Sequence, residues 1–202
     1  TAAGSFTIVG TPIGNLGDLS PRGQAALSAA DVIYCELPWF ARNLIFDQAG
    51  YCFASPLGRA TFDNTGCTGS DVTLSERDRA AIDHILDLEE VLNCAIDSSA
   101  PRLEHLAHFE HLRNAEVVPA PAEHESGCIG YTGPVLPLRA APQADARVIG
   151  ELRPGDNVGF IFLNEGIWDY VLINDPDDMS TLRDAGWAPV GLGRIECEMY
   201  AG

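Results

Sequence analysis

The 202-residue chain carries 12 basic residues, all of them Arg, against 29 acidic ones, a net charge of −17. So few cations exclude the basic face that nucleic acid demands for counterion displacement, and they disfavour anionic lipid. Hydrophobic residues make up 46% of the chain, enough for a buried core, yet no apolar run approaches the ~18 residues of a membrane span.

Thr1 to Ser5 carry no basic residue and no long apolar stretch follows. No signal peptide is therefore expected, and the chain reads as already processed or never exported. Phe6 to Val9 form a short β-prone run, followed by the turn-rich Gly10 to Gly17. Ser20-Pro21 reads as an N-cap with Pro at the first helical position, starting a short Ala-rich helix to about Ala30. Pro38 is expected to open a second helix in the same way. Its stripe is Leu37, Phe40, Ala41, Leu44 and Ile45, and Gly50 is its stop.

Residues 54–73 read as a loop. Ser75 with Asp78 forms a capping-box start for an amphipathic helix carrying Ile82, Ile85, Leu86 and Leu92. A weaker helix is expected over 101–114. The Pro-containing stretch 115–127 has no hydrophobic period and reads as an interdomain linker. Beyond Gly127 come short β-prone runs separated by turns such as Arg153-Pro154-Gly155-Asp156, the pattern of a small all-β barrel.

Six cysteines, Cys35, Cys52, Cys67, Cys94, Cys128 and Cys197, are widely spaced with no C-x-x-C pair. An even set of this kind reads as three disulfides in an oxidising compartment. Fifteen pairings are possible, and spacing does not choose among them.

The C-terminal motifs are Leu138-Arg139 with Ala141-Pro142, Val148-Ile149-Gly150 with Leu152, Pro154-Gly155-Asp156, Trp168-Asp169-Tyr170-Val171 and Gly186-Trp187-Ala188. In this order they resemble the bacterial SH3-like domains, with Asn174 to Asp184 as an insertion. The resemblance implies an attachment or recognition module of the cell envelope. Phe40-Ala41-Arg42-Asn43, Ile45-Phe46 and Gly50-Tyr51-Cys52-Phe53 resemble the YARHG family of bacterial extracellular domains, although the name-giving pentapeptide here is Phe46-Asp47-Gln48-Ala49-Gly50. Thr7 to Arg22 with Ala29 to Glu36 resemble the amino-terminal end of ribosomal RNA ribose methyltransferases of the tetrapyrrole-methylase-like fold. That resemblance stops at Leu37-Pro38-Trp39.

The fold expected is therefore α+β: a small disulfide-braced helical domain and a C-terminal SH3-like β-barrel. Residues 1–34 are taken as a leader or fused fragment, 35–114 as the YARHG-like helical domain, 115–127 as the linker and 128–202 as the barrel. Tyr170, Trp187 and Trp168 are the candidate ligand-binding aromatics, since such side chains dominate the peptide-binding surfaces of SH3-like barrels. Core packing is the competing role for the two Trp. Arg42 and Asn43 are expected to be structural, with Arg42 clamping a carboxylate or carbonyls through its planar fork.

His105, His108 and His111 lie three apart. On an α-helix, successive members are offset by about 60°, so the outer two diverge too far to share a metal easily. Asp63, Asn64 and Asp71, like Asp175, Asp177 and Asp178, do not meet the calcium-loop order and read as acidic turns. No G-x-S-x-G elbow occurs, and no cofactor or metal is implied. The expectation is a non-enzymatic periplasmic or extracellular protein recognising a cell-wall component or a protein partner. The alternative is a fragment of an S-adenosylmethionine-dependent ribose methyltransferase, holding its cofactor through Gly10 to Gly17.

Overall fold

The structure, a computed structural model, describes residues 21–175, 181–191 and 195–201, with side chains from Cys35 onward. The expected strand at Phe6–Val9, the loop Gly10–Gly17 and the cap at Ser20 lie outside the described residues. So do Asp177 and Asp178.

The N-terminal half is a layer of helices: α1 (Pro21–Gln48), α2 (Pro56–Thr61) and α3 (Glu76–Val91). The two helices expected on either side of Pro38 are one 28-residue helix, with Pro38 inside it. Pro38 has no N–H to give to the ladder. The helix nevertheless continues because Phe40, Ala41, Leu44 and Ile45 just beyond it are all buried. The helix runs without a break through residues 34 and 35.

Gly50 ends the helix as expected, in the left-handed region at φ +86°. The Ser75 hydroxyl accepts from the Asp78 N–H, and the Asp78 carboxylate accepts from the Ser75 N–H, so α3 starts on a full capping box. Ile82, Ile85 and Leu88 are its buried stripe, while Leu86 is largely exposed. The span 101–114 is not an α-helix. It holds two 3-10 turns, Leu106–His108 and Glu110–Asn114.

Seven strands follow: β1 (Pro121–Tyr131), β2 (Leu136–Arg139), β3 (Val148–Leu152), β4 (Asn157–Phe162), β5 (Asp169–Asn174), β6 (Leu182–Ala188) and β7 (Cys197–Ala201). All the pairings are antiparallel, in the order β3-β2-β6-β5-β4-β1-β7. The expected closure into an SH3-like barrel is not formed, because the sheet stays open with β3 and β7 at its edges. The expected linker 115–127 is structured instead. Ala115 and Val118 are buried, and β1 begins at Pro121 between β4 and β7. Pro is tolerated there because it is the first residue of the strand.

Strand alternation sends most side chains to one of two clusters; Phe162, at the end of β4, shares the parity of Val158 and Phe160 but packs edge-on against Tyr170. Phe162, Tyr170 and Trp187 join Phe40, Phe53, Phe62, Phe109 and the other helical residues in one core between the layers. Val158, Val171, Ile173 and Ala188 join Leu138, Leu152 and Cys128 in a second cluster on the other face. Gly186 is required where β6 approaches β2: a Cβ there would come within 2.9 Å of the Leu138 Cβ. The turn at Gly155 (φ +91°) is closed by Asp156, whose N–H donates to the Arg153 carbonyl at 3.1 Å. The Asp156 carboxylate is buried and receives both Arg183 Nη atoms.

Three disulfides, Cys35–Cys94, Cys52–Cys67 and Cys128–Cys197, use all six cysteines. The first ties α1 to the end of α3. The second braces the loop between α1 and α3. The third joins β1 to edge strand β7.

Candidate functional site

The site is built from the seam between the layers. Leu37 and Pro38 of α1, Leu88 of α3 and Leu92 just beyond it form one wall. Phe109 and His111 of the 3-10 segment, Ile161 of β4 and Leu172 of β5 complete a cleft of about 780 Å³. That volume lies within the ~300–1,000 Å³ typical of small-molecule sites. Leu92 and Leu182 line the cleft and are 40% and 37% exposed, so apolar surface reaches solvent there. Its acidic side chains are Glu123 and Glu125, with the exposed imidazole of His108 beside them. No Arg lines it.

The 3-10 segment that closes one side is pinned by a buried carboxylate. Glu36 on α1 accepts the backbone N–H groups of Glu104 and His105, each at 2.8 Å, and lies 3.1 Å from His105 Nδ1. The three histidines do not converge. His105 is held by Glu36, His108 faces solvent, and His111 turns inward against Tyr170, with ring centroids 6.0 Å apart. Both His111 ring nitrogens are buried, with no hydrogen-bond partner among the described residues. Burial drives its pKa from 6.5 down to about 4, so the imidazole is neutral at pH 7. Among the described residues, no group of three or more His, Cys, Asp or Glu is placed to hold a metal.

The aromatics expected to bind ligand are placed differently. Tyr170 and Trp187 are 1% and 0% exposed and sit edge to face in the inter-layer core. The Trp187 indole N–H donates to the Val117 carbonyl at 2.9 Å. They form no exposed groove because the helical layer covers the sheet face that an isolated barrel would present. Burial of its phenol raises the Tyr170 pKa far above its ordinary value. Trp168 is half-buried at the start of β5 and packs on the same core.

Arg42 directs Nε and Nη2 onto one Glu89 oxygen, at 3.2 and 3.1 Å, fastening α1 to α3. Asn43 donates to the Trp39 carbonyl at 2.7 Å. The acidic turn shows structural hydrogen bonds as well. Asn64 clasps the Phe53 backbone, donating to its carbonyl and accepting from its N–H, and Asp63 accepts from the Thr65 N–H.

Sequence reasoning missed the cleft residues Leu88, Phe109, Ile161 and Leu172. Each is an ordinary apolar residue of a periodic stripe, and only the packing of two layers distinguishes them. The inward turn of His111 had one available signal, its place between Phe109 and Leu112, both of which are buried.

A helical layer packed on an open antiparallel sheet, stapled by three disulfides and parted by an apolar cleft, defines a disulfide-braced α+β protein. The chain belongs to the family described as Domain of unknown function (DUF4453), whose model matches residues 93–202, more than half of the chain. Residues 18–90 match the YARHG domain. The YARHG match thus takes in all of 18–34, part of the segment read from the sequence as a leader or fused fragment. No curated protein and no solved structure matches the chain significantly. Among the described residues, no helix is long and apolar enough to cross a membrane.

Proposed function

We propose that this protein is a non-catalytic binding module working outside the cytosol, in the periplasm or beyond the cell. Its ligand seat is the cleft between the helical layer and the sheet. The ligand is a component of the cell envelope, either peptidoglycan or a protein partner. The observation that carries this reading is the cleft itself: a largely apolar concavity with a few polar groups at its border, the usual composition of a recognition site.

Location is supported by the three disulfides, which persist in oxidising compartments, and by the YARHG match. A binding role is favoured over covalent catalysis because all six sulfurs are bonded, leaving no thiolate nucleophile. Among the described residues, the only hydroxyl side chain lining the cleft is Thr181.

Co-sedimentation with purified peptidoglycan, and capture of envelope proteins on immobilised protein, test the reading. The Leu92→Glu/Leu182→Glu double variant is the comparison, since both positions are partly exposed and tolerate charge without unfolding. The wild type is expected to be retained in one of the two assays, and the variant at less than a tenth of that level. Equal retention of both proteins removes the cleft as the seat.

A further inference from the structure

A second, smaller pocket of about 300 Å³ opens on the other face of the sheet. The strand parities separate the two. Glu123, Glu125, Ile161 and Leu172 line the cleft, whereas His124, Ser126, Phe160 and Asp169 line this pocket. Ala122, near the start of β1, borders both. Phe162, Ile195 and Tyr200 complete the apolar walls.

Its distinctive member is Asp169. The residue is 6% exposed, and its carboxylate has no hydrogen-bond or ion-pair partner among the described residues. Burial pushes its carboxyl above the ordinary carboxylate range. A buried carboxylate without a counter-charge is costly, and packing alone does not call for one at the first residue of a strand. The other two buried acids differ in this respect: Glu36 receives three donors and Asp156 receives Arg183.

The geometry points to a binding site for a small organic cation, a primary ammonium group whose charge meets Asp169 and whose aliphatic body lies against Phe160, Phe162 and Tyr200. Aromatic faces attract ammonium groups as well as alkyl chains. A hard metal ion does not suit the pocket, because among the described residues one carboxylate, one serine hydroxyl, one amide and one imidazole fall short of the charged oxygen set such ions need. The volume is at the low end for ligand sites and matches a ligand of a few carbons.

The test uses the full chain titrated with n-butylamine, n-butanol and butyrate, followed by amide chemical shifts. Butylamine is expected to give saturable shifts at Phe160, Asp169 and Ile195, with at least tenfold weaker binding of the alcohol and the acid. Asp169→Asn is expected to lose at least tenfold in amine affinity while unfolding at higher denaturant than wild type. Four results would overturn the proposal: no saturable shift with the amine, equal binding of butanol, undiminished amine binding by Asp169→Asn, or an Asp169→Asn protein less stable than wild type. The last outcome would make the carboxylate a structural requirement.

Discussion

Individual side chains show where folding and titration are coupled. His111 is neutral and unpaired against Tyr170, with its pKa lowered from 6.5 to about 4 by burial. Its sign is that of a depressed base. The stabilising difference is fully present above 6.5 and is lost as pH falls toward 4, because the unfolded chain takes up a proton that the folded chain refuses. At about 1.4 kcal/mol per pKa unit, the loss approaches ~3 kcal/mol. Denaturant midpoints at pH 7 and 4.5 are expected to fall further for wild type than for His111→Phe, which keeps the stacking without the titration. Equal falls would mean that the ring is solvated. Asp169 runs the other way. Its raised carboxyl pKa makes the folded state relatively more stable as pH falls through the folded-state value, above the usual 3.8. The two contributions are separated by comparing the variants, since each removes one titration.

At the scale of elements, the staples carry much of the stability. The helical layer is thin, and its longest helix contains a proline. In the chain-entropy picture a disulfide stabilises in proportion to the logarithm of the loop it closes. Cys52–Cys67 closes a separation of 15, whereas Cys35–Cys94 and Cys128–Cys197 close 59 and 69. Replacing Cys52 and Cys67 by Ser is therefore expected to cost ~3 kcal/mol, and replacing either of the other pairs ~4 kcal/mol. Urea unfolding of the three double variants checks the order, and a short-loop variant that proves the least stable would contradict it. The Cys128 pair adds a packing loss, because Cys128 is fully buried in the second cluster.

Across the whole molecule, the helices and the sheet share one core, in which Trp187 and Tyr170 of the sheet lie among Phe40, Phe62 and Leu112. Further ties cross the seam. The Gln48 side chain donates to the Ala115 carbonyl, Arg147 donates to the Asn114 carbonyl, and Trp187 donates to Val117. Layers coupled this way are expected to unfold together. Helical circular dichroism and tryptophan fluorescence should give coincident transitions, and Trp187→Ala should move both down by ~4 kcal/mol. Two separated transitions would show that each layer is stable alone.

Local chemistry was legible where it is self-contained. Ser75 and Asp78 sit three residues apart and cap their own helix, Gly50 supplies its own left-handed turn, and an even set of distant cysteines signals disulfides. Arg42 as a clamp was legible because a planar guanidinium so often fastens a carboxylate, although which carboxylate was not. Non-local consequences were not legible. Pro38 marks a helix start by local rules, but the buried stripe beyond it holds the helix through. The stretch 115–127 has the composition of a linker, yet strand partners on both sides make a strand of its latter part. Whether Tyr170 and Trp187 face a ligand or a core depends on what lies over that face of the sheet, and alternation along β5 and β6 is the same in either case. The amino-acid sequence by itself determined the α+β content, the covalent bracing and the caps, because each depends on residues close in the chain or on cysteine parity. The disulfide pairing, the open sheet, the cleft and the burial of Asp169 were decided by tertiary structure alone, because each depends on which surfaces meet across long chain separations.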